Sequence, residues 1–172
     1  MRAAARAQPN IALIKYWGKR DTEQNLPAVG SISITLADLY TTMRVAFDAA
    51  LGADTLVVND AASAAMLPRV SRCLDAVAGA DRPRAAVSSE GNFPIAAGLA
   101  SSASAFAALV VAADAAAGKN HSREQLASLA GRASGSAARS IHGGFVELAS
   151  GDDAIALTTL CKAGAWPKNV VV

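Results

Sequence analysis

At 172 residues, 52% hydrophobic and only 17% charged, the chain is long enough to bury one domain core and too apolar to be disordered. A formal net charge of +2, with no Lys/Arg block and no aromatic-interleaved basic stripe, argues against nucleic acid as a partner and leaves small anions open. No apolar run reaches the roughly 18 uncharged residues expected of a membrane span, and the opening MRAAARAQPN is too polar and short for a signal segment.

In chain order, the first group of interest is PNIALIKYWGKRD, residues 9–21, where Lys15 and Lys19 flank Tyr16, Trp17 and Gly18. Two ammonium groups beside an aromatic wall suit a polyanionic substrate; surface lysines beside a packed tryptophan are the plainer alternative. Residues 31–36, SISITL, alternate strictly, Ile32, Ile34 and Leu36 opposite Ser31, Ser33 and Thr35, as in a half-buried strand. TTMRVAF continues the alternation through Met43, Val45 and Phe47, and DTLVV before Asn59-Asp60 makes a third strand and a turn. With only a short link at Asp38 and Leu39 between the first two, an antiparallel meander is expected.

Pro68 suits a first helical turn, after which Val70, Leu74 and Val77 recur at helical spacing. RAAVSS predicts a short strand. FPIAAGLASSASAFAALVVAA, residues 93–113, then opens as a loop of small residues and becomes a helix, ending near Gly118. The first N–H groups of a helix lack intrahelical partners, and the peptide dipoles add positive potential there. Small residues at Ala96, Ala97, Gly98 and Ala100 let a ligand approach the backbone. Ser101, Ser102 and Ser104 add hydroxyl donors, so the stretch suits a phosphate, with one hydroxyl able to face a phosphate-bound Mg²⁺. A serine N-cap on an ordinary core helix is the alternative. No Gly-Lys-Ser/Thr follows the glycine, so this is not the Walker pattern.

Ser122 to Gln125 has the form of a capping box, opening a helix that carries Leu126 and Leu129. In GRASGSAARSIHGG, residues 131–144, Ser134, Ser136 and Arg139 cluster around Gly135. Arg139 can fork onto a carboxylate or phosphate; a surface arginine at a solvated helix start is the alternative. His142 has no Cys/His/Asp neighbours in sequence and reads as a packed or surface histidine. GGFVELA and AIALTTL read as strands. Strands and helices do not alternate regularly, which gives an α+β fold with a largely antiparallel sheet. Cys73 and Cys161 form neither a CxxC pair nor a metal spacing, as expected of two reduced thiols in a cytoplasmic protein.

NIALIKYWGKRD, LPAVGSISITL, NFPIAAGLASSASAFAAL and SGSAARSIHGGFVEL, in this order, resemble the diphosphomevalonate decarboxylases of the GHMP kinase superfamily. The resemblance spans nearly the whole chain. It implies a GHMP-kinase-type N-terminal domain that uses ATP and Mg²⁺ to phosphorylate the 3-hydroxyl of mevalonate 5-diphosphate, after which phosphate and CO₂ leave and isopentenyl diphosphate forms. It also implies roles. Pro94, Ala97, Gly98, Leu99, Ala100, Ser101, Ser102 and Ser104 hold the ATP phosphates, with Ser102 facing the metal. Ser89 and Asn92 lie near the nucleoside, although Gly91 stands where the family often has Asn. Tyr16 and Lys19 contact the diphosphate end of the substrate, with Ser134 helping and Arg69 a further contact. Ser136 and Arg139 hold the substrate near its carboxylate and hydroxyl, and Lys15 sits near the reacting hydroxyl.

One departure is plain. The family's catalytic aspartate lies in a DAGPN-like motif of a C-terminal domain, and this sequence has no such motif. Residues 1–172 are therefore expected to be the N-terminal nucleotide- and substrate-binding domain without its C-terminal domain, with little turnover alone. Apolar surface left uncovered would promote a homodimer or association with the missing C-terminal half. A phosphomevalonate decarboxylase, a mevalonate 3-kinase, or an inactive nucleotide- or partner-binding fragment are the rival readings; Lys19 and Ser134 speak for a diphosphate substrate.

Overall fold

The computed structural model describes residues 1–15, 18–22, 25–95, 97–150 and 155–165. Its strands are β1 (Arg2–Ala7), β2 (Asn10–Ile14), β3 (Lys19–Asp21), β4 (Leu26–Pro27), β5 (Ser31–Thr35), β6 (Thr41–Phe47), β7 (Thr55–Val58), β8 (Ala61–Ala62), β9 (Ala85–Gly91), β10 (Phe145–Ser150) and β11 (Ile155–Cys161). Its helices are α1 (Leu67–Ala78), α2 (Ser101–Ala117), α3 (Arg123–Ala133) and α4 (Ala137–Ser140). Five strands form one sheet in the order β1-β6-β9-β7-β8, four form a second in the order β11-β10-β5-β2, and β3 pairs with β4. Every pairing is antiparallel except β7 with β9, so the fold is α+β with antiparallel-rich sheets.

Period-two patterning builds the five-stranded sheet. Met43, Val45 and Phe47 of β6 are buried on one face, and their partners across β9 are Ser89, Val87 and Ala85. Against this face lies α2, whose composition is apolar all round because it is enclosed all round. It packs on β1 and β6 on one side and on α1, α3 and α4 on the other. α1 begins with proline in its first turn and buries Val70, Cys73, Leu74 and Val77, as the spacing predicts. The capping box at Ser122 forms in full: the Ser122 hydroxyl accepts from the Gln125 N–H, and the Gln125 side chain accepts from the Ser122 N–H.

The expected meander does not form. β5 and β6 are consecutive but belong to different sheets: β5 lies between β10 and β2, and β6 between β1 and β9. Both faces of β5 are covered in part: Ile34 on the expected apolar side is buried, and so are the serines opposite it. Ser31 and Ser33 are 2% and 1% exposed, sharing a face with their partners Leu148 and Val146, while Ile32 is only half-buried. Alternation marks a strand but not its partner, and Ser31 goes inward to accept from the buried Arg139 guanidinium. β1, RAAARA, is likewise invisible in the pattern, since alanine and arginine give no alternating apolar signal.

Candidate functional site

The site grows from the head of α2. Its N-cap is Ala100, at φ 51° and ψ 42°, and no side chain caps the helix. A left-handed alanine costs about 1–2 kcal/mol, and such strain concentrates at functional turns. Gly98, two residues earlier, also has positive φ, +79°, and a Cβ there would meet nothing within 4 Å. The ordinary serine N-cap is therefore not what forms. The turn instead leaves the first turn of α2 facing a cleft with its donors uncapped.

Ser101 and Ser102 line two cavities, one on each side of this helix end. The first, of about 280 Å³, is mainly apolar, walled by Met43, Leu56, Phe93, Ile95 and Phe106, with Ser89 and Arg69 among its polar groups. The second, of about 440 Å³, is polar and gathers Asn10, Lys15, Gly98, Ala100, Ser136 and Arg139. Residues far apart in sequence thus converge on one helix end: Lys15 from the end of β2, Ser89 from β9, Ser136 and Arg139 from the start of α4.

Arg139 is 3% exposed, so the surface alternative does not hold. Its Nη1 donates to the Ser31 hydroxyl and its Nε to Asn10 Oδ1 at 3.4 Å. Asn10, 2% exposed, in turn donates to the Ser136 carbonyl at 2.9 Å and the Ser140 hydroxyl at 2.7 Å. A buried arginine held on both sides presents a fixed guanidinium to the cavity. Ser33 lies on the same face of β5, its buried hydroxyl without a hydrogen-bond partner among the described residues.

The other expected residues are placed variously. Ser134 is buried beside the site, its hydroxyl 3.5 Å from that of Ser102. Ser104 and Asn92 serve the scaffold. Ser104 is fully buried, 2.7 Å from the Thr41 hydroxyl and donating to the Ser101 carbonyl at 3.1 Å. The Asn92 amide accepts from the Tyr40 N–H and donates to the Asp38 carbonyl, both at 2.8 Å, so its side chain closes a loop. Pro94 and Ala97 are exposed in the approach to α2, Leu99 is half-buried, and Lys19 is exposed on β3. Tyr16 lies outside the described residues. Arg69 donates through Nε and Nη2 to the Ala133 carbonyl at 2.8 and 2.6 Å, and its guanidinium lies 4.4 Å from the Phe106 ring centre. Burial lowers its basicity, although arginine remains a cation under ordinary conditions.

Asn10 and Ser31 are the site residues that sequence reasoning missed. The signal for Asn10 was present: a lone amide opening the apolar run NIALI wants a buried polar partner. His142 is half-buried, its Nε2 enclosed without a partner among the described residues, and burial lowers its pKa. Among the described residues no group of three or more His, Cys, Asp or Glu could hold a metal. Among the described residues no helix is long and apolar enough to cross a membrane.

Comparison with known proteins gives a consistent result. A family model described as the diphosphomevalonate decarboxylase-like N-terminal domain matches residues 7–160. The diphosphomevalonate decarboxylase of Eremothecium gossypii is 40% identical, the match covering 88% of this chain and 42% of that protein. That of Saccharomyces cerevisiae is 37% identical, over 96% of this chain and 47% of that protein. Among solved structures, the mevalonate diphosphate decarboxylase from Staphylococcus aureus has a TM-score of 0.86 at 42% identity, covering 93% of this chain and 50% of that one. A structure of MDDEF in complex with MVAPP, AMPPCP and magnesium has a TM-score of 0.87 at 41% identity, covering 96% and 52%. The chain spans about half the length of the relatives it matches.

Proposed function

The chain belongs to the diphosphomevalonate decarboxylase-like N-terminal domain family, and we propose that it forms the nucleotide- and substrate-binding half of an ATP-dependent decarboxylase acting on mevalonate 5-diphosphate. The observation that carries this reading is the position of Ser101 and Ser102: the uncapped head of α2 is shared by an apolar cavity and a polar one. A phosphoryl group moving between two ligands needs such a place, where fixed donors meet it from either side.

In this reading the nucleoside of ATP occupies the apolar cavity beside Ser89, with Asn92 positioning the loop that borders it. The ATP phosphates lie on the backbone from Pro94 through Ala97, Gly98, Leu99 and Ala100 to Ser101 and Ser102, where helix N–H groups and hydroxyls donate to their oxygens. Ser104 positions α2 through Thr41. Mg²⁺, carried on the phosphates and assisted by the Ser102 hydroxyl, supplies neutralisation of their charge.

Mevalonate 5-diphosphate occupies the polar cavity. Lys15 stands by the 3-hydroxyl, Arg139 and Ser136 by that hydroxyl and the carboxylate, and Tyr16, Lys19 and Ser134 toward the diphosphate. Phosphorylation makes the 3-oxygen a leaving group. The C–C bond to the carboxylate then breaks, its electron pair forms the alkene, and the C3–O bond opens as phosphate departs, leaving CO₂ and isopentenyl diphosphate. Arg139, fixed by Asn10 and Ser31, holds the carboxylate in line for that step. The 3-hydroxyl proton goes to a group that the second half of the family's length supplies. The described cysteines are both free, which supports a cytoplasmic location.

Calorimetry with ATP·Mg²⁺ and with mevalonate 5-diphosphate, followed by a CO₂-release assay, tests the reading. Saturable binding of both ligands with little CO₂ is expected of the chain alone. Failure to bind either ligand overturns it.

A further inference from the structure

Among the described residues β3 and β4 pair with each other and join neither larger sheet. Strands of 3 and 2 residues make a ribbon that is at best marginally stable by itself. Its place therefore depends on what fastens it to the body. Asn25, immediately before β4, supplies one fastening: its Nδ2 donates to the Gly131 carbonyl at 2.9 Å, across 106 residues of sequence. Its backbone stands in the left-handed region, at φ 58°. Asparagine is among the few residues with a side chain that visit this region routinely, so one residue shapes the turn and makes the bond.

Gly131 lies in the last turn of α3, where helix carbonyls run out of intrahelical partners. The Ala130 carbonyl accepts from the Ser134 N–H at 2.8 Å, and that of Ala133 accepts from Arg69. The Gly131 carbonyl takes the Asn25 amide. The chain that leaves this helix end carries Ser134 and Ser136, and the ribbon that Asn25 holds to it begins with Lys19. We propose that Asn25 is a positioning residue: it fixes the β3–β4 ribbon against the end of α3, and so sets Lys19 relative to Ser134 for the diphosphate of the substrate, a role that rests on the reading of this cleft as the mevalonate 5-diphosphate site. Its amide is turned to the helix end, so its part is to hold rather than to bind. A carboxylate in its place would set acceptor against acceptor.

Calorimetry with mevalonate 5-diphosphate and, separately, with ATP·Mg²⁺ compares the 172-residue chain with Asn25→Gly, Asn25→Asp, Lys19→Ala and the double variant Lys19→Ala, Asn25→Gly. Glycine keeps the positive φ and removes only the amide; circular dichroism checks that each variant folds. Asn25→Gly should bind mevalonate 5-diphosphate about fivefold more weakly, and Asn25→Asp about tenfold or more. ATP·Mg²⁺ affinity should stay within about twofold, and in the Lys19→Ala background Asn25→Gly should add less than about twofold, because the two residues act as one unit. Hydrogen exchange reads the fastening without ligand: the Ala28 N–H, which donates to the Gly18 carbonyl at 3.2 Å at the base of the ribbon, should exchange faster in Asn25→Gly. Wild-type diphosphate affinity in both Asn25 variants overturns the proposal. So does an equal loss for both ligands, or a full additional loss in the Lys19→Ala background, either of which makes Asn25 a general support. A wild-type chain that binds no mevalonate 5-diphosphate sinks the substrate reading and the positioning role with it, whereas failure of the role alone shows only in the variants.

Discussion

The hydroxyl of Ser104 lies 2.7 Å from that of Thr41, a contact that fastens α2 to the start of β6 and turns this serine away from the cleft. Ser104→Ala would leave the buried Thr41 hydroxyl without this partner, a loss of about 1–3 kcal/mol. The expected outcome is a lower denaturation midpoint with ATP affinity near that of the wild type once the protein is folded. A large loss of affinity without a loss of stability would assign Ser104 to the ligand.

Ser102→Ala should behave in the opposite way. Its hydroxyl is half-buried at the cleft, and among the described residues only a 3.5 Å contact to Ser134 ties it to the scaffold. A hydrogen bond to a charged group contributes about 1.5–3 kcal/mol, so calorimetry should show ATP·Mg²⁺ binding weakened about tenfold or more. Stability should stay within about 0.5 kcal/mol. Unchanged affinity would remove Ser102 from the phosphate site.

Arg139→Lys tests the buried network behind the polar cavity. One ammonium cannot reproduce the directed bonds to Ser31 and Asn10 while also facing a carboxylate. The variant should lose affinity for mevalonate 5-diphosphate by about tenfold or more. Its stability should also fall, because Asn10 and Ser31 lose a buried partner. Wild-type affinity in a destabilised variant would make Arg139 purely structural.

Much of this was legible in the sequence where local physics decides. The capping box at Ser122, the proline-led α1 and the alternation of β6 each rest on neighbours a few residues apart, and each forms. The cluster of Lys15, Ser101, Ser102, Ser136 and Arg139 was foreseen piecewise from residue chemistry, and the fold brings it together at one cavity. What was not legible is non-local. The sheet switch between β5 and β6, the inward turn of Ser31 and Ser33, and the scaffold duties of Ser104 and Asn92 all depend on partners dozens of residues away. A serine beside a phosphate loop looks the same in sequence whether it faces the ligand or the core.

Asp54 and Arg82 form a buried, bidentate ion pair. Two guanidinium nitrogens donate to the two carboxylate oxygens at 2.9 and 2.6 Å, with both side chains nearly enclosed. The hydrogen bonds from Arg82 outweigh burial and hold the Asp54 carboxyl well below the usual carboxylate range. A depressed pKa stabilises the fold above the unfolded value of about 3.9 and loses that contribution as pH falls toward the folded one. Asp54→Asn should therefore cost about 3 kcal/mol at neutral pH, and its stability gap from the wild type should narrow below about pH 4. Denaturant titrations at pH 7 and at successively lower pH check this; a gap that stays constant into acid would show that the ionised pair is not the source.

Cys73 makes the matching case at alkaline pH. It is 4% exposed under α1, and burial pushes its thiol up to about 12, Arg69 opposing only in part. The unfolded thiol ionises near about 8.5, so the native state keeps a proton that the unfolded chain gives up. That contribution is complete below about pH 8.5 and disappears as pH rises toward the folded value. The thiolate is the reactive form, so at pH 8 a disulfide reagent should modify the half-exposed Cys161 rapidly and reach Cys73 only when denaturant opens the core. Cys73→Ala should react once under either condition, and its stability should fall less steeply than that of the wild type above about pH 9. Rapid modification of both thiols in the folded chain would mean that α1 opens far more readily than its packing implies.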